Sequence, residues 1–165
     1  MKEGRLAGLA DVVHRHFSSS IGATDIPLPP AAAADDVGTD ETMLFCVGAH
    51  MSGLPLNHQL TELGGRLLRT DRTMPVYRLF ALGPRPGLVR ADAGAAIDGE
   101  VWSLPTAAIG ILLAQVPAPL GFGTVDLAGG PCLGFLAEAN ALAGATDITR
   151  LGGWRSWLAA PERQH

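Results

Sequence analysis

The sequence has little charge and few aromatic side chains for its length of 165 residues. Charged residues make up 17% of the chain, aromatic residues 5%, and the net charge at neutral pH is -4. The Lys and Arg side chains form no cluster, so the sequence lacks the basic patch that binding to nucleic-acid phosphates requires. We therefore expect no nucleic-acid partner.

Long apolar runs are also absent. Gly, Pro or a charged residue interrupts every apolar stretch, so none has the roughly 20 residues that a membrane-spanning helix needs. The first residues, Met1 to Gly8, include an acidic side chain and no apolar segment of the kind found in signal peptides. We expect no contact with a membrane and a cytoplasmic location.

Cysteine is scarce, with only Cys46 and Cys132, and each lies within an apolar run. A disulfide or metal site needs partners at suitable spacing, and the sequence offers none. His14 and His16 are two residues apart on a predicted helix and therefore point to different faces. We predict two buried, reduced thiols, no metal site and no cofactor.

Apolar side chains, at 47% of the chain, are plentiful, as are glycine and proline, with 21 and 12 residues. This apolar content suffices for a hydrophobic core. Frequent Gly and Pro indicate many turns and short elements rather than a helical bundle. The length fits one domain with an extension.

The first 42 residues differ in composition from the rest. Residues 2–17 predict an amphipathic helix because they carry an apolar stripe at helical spacing, formed by Leu6, Leu9, Val13 and Phe17. Residues 18–42 are rich in Ser, Pro and Ala, which is typical of a linker. We place the helix and linker at 1–42 and the globular domain at 43–160.

Periodicity in the globular part predicts more strands than helices. The predicted strands lie at 43–47, 76–82, 88–89, 97–104, 123–127 and 132–137, and the predicted helices at 60–68, 105–115 and 154–158. The strand at 97–104 shows an alternating pattern, and Gly129-Gly130 indicates a hairpin turn. Because hairpins pair antiparallel strands, we predict an α+β fold: a small mixed, mainly antiparallel β-barrel with flanking helices.

One histidine follows the first predicted strand at a glycine. His50 lies in the segment Gly48-Ala49-His50-Met51, where exposed backbone can approach a small ligand. Its imidazole titrates near neutral pH and is suited to proton transfer. From the residues alone, a loop histidine with a structural hydrogen bond is the simpler interpretation.

Other polar residues are candidates for a binding site. Asn57 and Gln59 can hydrogen-bond an amide or carboxylate, although Asn57 is equally suited to cap a helix. Glu100 lies in a strand with Trp102 and Leu104; burying its carboxylate is costly unless it is paired or functional, and a partly solvated face is the alternative.

Arginine and tyrosine provide further candidates. Arg78 and Arg90 lie on predicted strands and are better anion ligands than the three arginines placed on or after a predicted helix, which are Arg66, Arg69 and Arg72. Tyr77 is the only tyrosine and either belongs to the core or donates its hydroxyl to a pocket.

Several stretches resemble the C-terminal domain of allophanate hydrolase. The longest runs from Gly48 to Thr61, and the others are Ala96 to Trp102, Val116 to Gly123, Asp147 to Arg150 and Gly152 to Arg155. The resemblance covers roughly the whole globular part, and the N-terminal segment resembles the end of that enzyme's amidase domain. We expect either a C-terminal piece of the enzyme or a separate version of its last domain.

The resemblance implies a fold similar to γ-glutamyl cyclotransferases. Those enzymes bind substrate through the backbone of a loop after the first strand, which corresponds to Val47 to His50, and they carry a catalytic glutamate after a later helix. The matching region here, Pro117 to Gly121, has no carboxylate. This difference argues against cyclotransferase activity, which stays an alternative.

The resemblance also implies a role in urea and allophanate degradation. An amidase domain or subunit, as partner, would produce N-carboxycarbamate, a small dicarboxylate, and this domain would promote its decarboxylation. His50 would transfer the proton, Glu100 would orient it or exchange a proton, and the substrate would bind eight residues: Gly48, Ala49, Met51, Ser52, Asn57, Gln59, Tyr77 and Arg78.

The chain itself is not expected to hydrolyse the amide. The amidase half of the enzyme uses a Ser-Ser-Lys triad on a Gly/Ser-rich segment, whereas this chain has a single lysine, Lys2, and no such segment. A non-catalytic domain that stabilises or assembles the amidase is the other hypothesis from the resemblance. The oligomeric state, including a homodimer, is left open.

Overall fold

The computed structural model describes residues 20–21, 26–27 and 37–161. The chain divides into two compact units, Met1–Ala34 and Asp35–His165. In the first unit, strands β1 (Ser20–Ile21) and β2 (Ile26–Pro27) pair antiparallel. The helix predicted at 2–17 lies outside the described residues, and the domain boundary after residue 42 stays a prediction.

The second unit contains two sheets and three α-helices. Its strands are β3 (Glu41–Cys46), β4 (Arg66–Arg72), β5 (Tyr77–Leu82), β6 (Arg85–Arg90), β7 (Asp98–Pro105), β8 (Leu120–Leu127), β9 (Gly130–Ala137) and β10 (Thr146–Asp147). The helices are α1 (Asn57–Glu62), α2 (Thr106–Ala114) and α3 (Trp154–Ala159). None of these described helices has the length and hydropathy needed to cross a membrane.

The strands form one five-stranded sheet in the order β4-β7-β3-β9-β8 and one three-stranded sheet in the order β10-β5-β6. Pairing is antiparallel except between β3 and β9, which are parallel. The predicted mixed, mainly antiparallel α+β fold is therefore confirmed. The sheets do not close into the predicted barrel: within the described residues, the edges of the larger sheet meet only at an isolated bridge between Thr73 and Leu127.

The predicted helix at 60–68 is wrong in its second half. Helix α1 ends at Glu62, and Gly64 follows with φ of 83°, a left-handed conformation that glycine adopts readily. Leu67 and Leu68 then lie in β4 rather than on the helix. The arginines around them accordingly lie on a strand, where Arg66 pairs with Glu41 and Arg69 with Asp71.

The core lies around the central strands of the larger sheet. In β7, six successive residues from Gly99 to Leu104 are buried, so the predicted alternation of faces does not hold. The reason is that β7 lies between two paired strands and α2 packs against it. The predicted buried thiols are confirmed: Cys46 and Cys132 are buried and free, and burial raises the pKa of Cys132 to about 11.

Candidate functional site

The loop after β3 begins at Gly48, where the backbone packs closely against the ring of Pro86. A Cβ atom on Gly48 would lie 2.4 Å from Cγ and 2.7 Å from Cδ of Pro86 in β6. Glycine is therefore required for β6 to approach the end of β3. The chain then turns, with the backbone N–H of Met51 donating to the carbonyl oxygen of Gly48 at 2.9 Å.

His50 lies in this turn and is held from two sides. Its Nε2 is 2.9 Å from Oε1 of Gln59, and Nδ2 of Asn57 donates to its carbonyl oxygen at 2.8 Å. Its ring is stacked on Phe135, with centroids 4.8 Å apart and planes 9° apart. Asn57 does not cap α1, because Leu56 occupies that position without a side-chain hydrogen bond; it anchors the His50 loop instead.

The surroundings of His50 favour its neutral form. Burial lowers the pKa of His50 most strongly, the hydrogen bond to Oε1 of Gln59 raises it, and nearby His58 lowers it; the net shift is downward. Nδ1 has no hydrogen-bond partner among the described residues. The imidazole thus presents one nitrogen that is free to exchange a proton near neutral pH.

His50 lines a small pocket of about 40 Å³ whose walls come from four segments of the chain: Val47, Gly48, Ala49, His50, Leu56, Arg85, Pro86, Leu120 and Phe135. A pocket of this size admits only a small ligand. None of the described residues that line it carries a carboxylate.

Arg85 supplies a cationic side chain to this pocket. It is partly buried, and its guanidinium has no hydrogen-bond or ion-pair partner in the described part of the chain. The backbone N–H groups of Ala49 and His50 likewise donate to no other described residue. An arginine and free amides beside an imidazole can bind a small anion and move a proton to or from it.

Glu100 is buried, at 5% exposure, and lies near the loop without touching His50. Its Oε2 accepts hydrogen bonds from the backbone N–H of Ser52 at 2.7 Å, from Ser52 Oγ at 3.1 Å and from Trp102 Nε1 at 3.1 Å. Burial raises the pKa of Glu100, but these hydrogen bonds and Arg155 lower it further, so the net shift is downward. The carboxylate is therefore ionised at neutral pH.

Comparisons with known proteins identify the family. The family model of the allophanate hydrolase C-terminal domain matches residues 42–159. This chain belongs to that family. The domain is 40% identical over 125 residues to urea amidolyase of Saccharomyces cerevisiae, a match that covers 70% of this chain and 7% of that protein. The chain thus spans a small fraction of the curated relatives' length.

Solved structures agree with this assignment of the domain. A protein specific to uropathogenic Escherichia coli is 39% identical with a TM-score of 0.70, covering 72% of this chain and 96% of that one. Allophanate hydrolase of Kluyveromyces lactis is 38% identical with a TM-score of 0.68, covering 72% and 21%. YkqA of Bacillus subtilis, at 22% identity and a TM-score of 0.59 over 76% of this chain and 44% of that one, shares the fold alone. The fold is the γ-glutamyl cyclotransferase-like one that the sequence predicted.

Two predicted substrate ligands lie elsewhere in this allophanate hydrolase C-terminal domain. Tyr77 is fully buried, and its hydroxyl accepts a hydrogen bond from the backbone N–H of Asp126 at 2.9 Å. Arg78 pairs with Asp147 in a depression that shares no lining residue with the His50 pocket. Arg90, the other candidate, pairs with Asp126 and lies over the Tyr77 ring. Tyr77 and Arg90 thus connect the smaller sheet to β8 of the larger one, and Arg78 connects two strands of the smaller sheet.

Two residues of this site were not candidates from the sequence. Arg85 lies between two prolines as the first residue of β6, and its local sequence carries no signal of its position beside His50. Arg155 of α3 donates from Nη2 to Glu100 Oε1 at 2.8 Å and to the carbonyl oxygen of Ser52 at 2.7 Å. In the part of the chain that the structure describes, no three His, Cys, Asp or Glu side chains converge as metal ligands would.

Proposed function

We propose that this domain promotes the decarboxylation of N-carboxycarbamate, which an amidase domain or subunit produces from allophanate during urea breakdown. The observation that carries the proposal is the pocket of His50 and Arg85, which combines a titratable ring nitrogen, an unpaired guanidinium and space for a small ligand only. The family is named for allophanate hydrolase, which gives the reaction its context.

The reaction needs one proton at one atom. N-carboxycarbamate carries a carboxylate on each side of a nitrogen, and loss of carbon dioxide breaks one C–N bond. The electron pair of that bond stays on the nitrogen, which takes up one proton and leaves as carbamate. In our proposal, His50 supplies this proton as general acid and recovers it from water.

The charge of the substrate accounts for the protonation of His50. In the free domain, burial lowers the pKa of the imidazole. A bound dianion beside the ring favours the imidazolium and raises that pKa. Arg85 and the free N–H groups of Ala49 and His50 would bind the carboxylates, so protonation and substrate binding would occur together.

In this proposal Glu100 is a positioning residue rather than a proton donor. Its ionised carboxylate accepts two hydrogen bonds from Ser52, two residues after His50, and has no contact with the imidazole. Met51, between the two, is buried at 3% exposure. Glu100 would therefore act on His50 through the backbone of the loop, which it holds in place.

A role in assembly is the second candidate function. Helix α2 exposes two large apolar side chains, Ile111 at 54% and Leu113 at 44% exposure, which a partner surface would bury in such an assembly. A scaffold for an amidase would use this surface and would have no need of His50. Cyclotransferase chemistry is disfavoured because the described lining of the pocket has no carboxylate.

The deciding experiment measures release of carbon dioxide from allophanate by a separately prepared amidase domain, with and without this chain. The pH is set where spontaneous loss of carbon dioxide is slow. We expect acceleration by the wild type, a loss of about 10²–10⁴-fold in that acceleration for His50→Asn, and none for His58→Asn, an exposed neighbour bonded to the Pro55 carbonyl. No acceleration by a folded wild-type chain would reject catalysis and favour assembly.

The same experiment includes a control on the amide hydrolysis itself. This chain alone should release no ammonia from allophanate. Ammonia release that persists in a preparation free of contaminating amidase would contradict the division of labour proposed here.

A further inference from the structure

Helix α1 holds His50 at two atoms, one in the backbone and one in the ring. Asn57 and Gln59, two residues apart in the helix, bind its carbonyl oxygen and its Nε2. We infer that Gln59 keeps His50 in the tautomer that carries hydrogen on Nε2, so that Nδ1 is the atom that exchanges the proton with the substrate. Gln59 is then a positioning residue and not the substrate ligand that the sequence suggested.

The chemistry of an amide oxygen determines which nitrogen carries the proton. Oε1 of Gln59 accepts hydrogen bonds and cannot donate one, so Nε2, at 2.9 Å, must be the donor. This hydrogen bond exists in both the neutral ring and the imidazolium. Only Nδ1 gains and loses hydrogen, and Gln59 need not move during the reaction.

Packing and the hydrogen bond to Gln59 hold the ring in one orientation. His50 is stacked parallel to Phe135, and Phe122 meets the same phenyl ring edge-on, with planes 85° apart and centroids 4.8 Å apart. A half-turn of the imidazole would keep its plane but put carbon Cε1 in place of Nε2, so the hydrogen bond to Gln59 would be lost. The backbone is fixed as well, because Asn57 holds the carbonyl oxygen of His50.

The group bonded to Nε2 of His50 is the neutral amide of Gln59, which allows the imidazolium to release its proton. A carboxylate at Nε2 would raise the pKa of the imidazole and retain the proton, whereas an amide oxygen has a smaller effect. Glu100, the buried carboxylate nearby, is bonded to Ser52, Trp102 and Arg155 instead. The other titratable or charged groups around the ring are His58, which lowers its pKa, and Arg85 of the same pocket.

Nitrogen NMR tests the tautomer directly, without any assay of activity. The chain is labelled with ¹⁵N-histidine, and the signals of His50 among the five histidines are identified by their loss in His50→Asn. Two-bond ¹H–¹⁵N spectra then distinguish a ring nitrogen that carries hydrogen from one with a lone pair. We expect hydrogen on Nε2 and a lone pair on Nδ1 above the pKa of His50. Hydrogen on Nδ1, or an even mixture, would overturn the inference.

Two substitutions at Gln59 separate its role from general stability. Gln59→Met removes the acceptor and should produce a mixture of tautomers and lower the pKa of His50 by up to about one unit, the size of one neutral hydrogen bond. Gln59→Glu should keep hydrogen on Nε2 and raise that pKa. The matched control is Gln115→Met at the exposed end of α2, which should leave the His50 signals unchanged. If both Gln59 variants also left these signals unchanged, the inference would be wrong.

The role of Gln59 in catalysis rests on the proposed function, but the tautomer of His50 and the decarboxylation are tested by separate measurements. If the wild-type tautomer carries hydrogen on Nε2 but the chain does not accelerate release of carbon dioxide, the proposed function is wrong and the role of Gln59 stands. If acceleration is present and Nδ1 carries the hydrogen, the function stands and the inference fails. If both hold, Gln59→Met should shift the pH profile of the acceleration in the same direction as its NMR titration.

Discussion

Arg155 and Glu100 form an ion pair in which Nη2 of the arginine lies 2.8 Å from Oε1 of the carboxylate. The arginine side chain is 50% exposed and the carboxylate side chain 7% exposed. The same Nη2 also donates to the carbonyl oxygen of Ser52 at 2.7 Å. Helix α3, near the end of the described chain, is thereby connected to the loop that carries His50, since Arg155 follows Ser52 of that loop by 103 residues.

Substitution of Glu100 should destabilise the loop and slow the reaction indirectly. In Glu100→Gln the amide oxygen still accepts from Ser52 and Trp102 at the position of Oε2, but the NH2 group then faces Nη2 of Arg155, and loss of this ion pair costs about 1–3 kcal/mol. Arg155→Met should cost about 1 kcal/mol or less, because the arginine is half exposed. Urea unfolding measures both, and the acceleration of carbon dioxide release should fall less than in His50→Asn. A Glu100→Gln variant as inactive as His50→Asn but fully stable would mean that Glu100 takes part in proton transfer.

Stability should fall on mild acidification because of His50. Its pKa in the folded chain lies below the ordinary value of 6.5, so the unfolded chain binds the proton first as the pH falls. The contribution of His50 is therefore fully present above about pH 7 and is lost as the pH falls through the folded pKa. Urea unfolding between about pH 7.5 and about pH 5.5 measures it.

The matched control for this titration is the His50→Asn variant, which cannot titrate in that range. Its free energy of unfolding should decline less than that of the wild type over the same interval. Glu100 does not interfere, because its lowered pKa places its titration in more acidic solution. Identical slopes for the two proteins would show that His50 is not buried as the structure has it.

Local sequence signals predicted the elements whose formation depends on residues close together in the chain. The apolar run in β3, the proline before α2 and the paired glycines between β8 and β9 each predicted an element that is present. Leu67 and Leu68 misled the prediction because their spacing from Leu60 is helical, while Gly64 and Gly65 end the helix before them. The predicted barrel is wrong because closure would need β4 to pair with β8, and these two strands, far apart in the chain, remain the edges of the larger sheet.

The same distinction between local signals and distant packing applies to the residues of the candidate site. His50 and Glu100 stood out because their residue types are unusual at a strand end or inside an apolar strand, and Asn57 and Gln59 because their amides can hydrogen-bond a substrate. Arg85 could not be selected, because only the packing of β6 against the end of β3, through Gly48 and Pro86, brings it to the pocket. Arg78 was predicted as an anion ligand because it lies on a strand, but its guanidinium pairs with Asp147 of β10.

Arg85 should bind the substrate, and its substitution should weaken binding more than it slows turnover. Arg85→Met removes the cation from the pocket and should raise KM for N-carboxycarbamate about tenfold or more, the loss of one charge-assisted hydrogen bond of about 1.5–3 kcal/mol. Arg85→Lys should recover part of this, since lysine keeps the charge but not the planar fork.

Arg78→Met is the matched control for Arg85. Arg78 is an exposed arginine that pairs with Asp147 outside the His50 pocket. Its loss should leave KM unchanged. If Arg78→Met raised KM and Arg85→Met did not, the substrate would bind in the depression at Arg78 and the pocket assigned here would be wrong.

Gly48→Ala tests whether close contact between β3 and β6 builds the site. The new methyl would lie 2.4 Å from Cγ of Pro86, and a proline ring cannot rotate away, so the loop or β6 must shift. Overpacking of this kind costs about 1–3 kcal/mol, and the shift would separate Arg85 from His50. Urea unfolding should show the loss of stability, and KM for N-carboxycarbamate should rise.

Gly110→Ala is the control, because its methyl would meet nothing within 4 Å on the exposed side of α2 and alanine favours helix by about 1 kcal/mol. That variant should be slightly more stable with unchanged activity; a Gly48→Ala chain that behaved the same way would show that the Gly48–Pro86 contact does not shape the pocket.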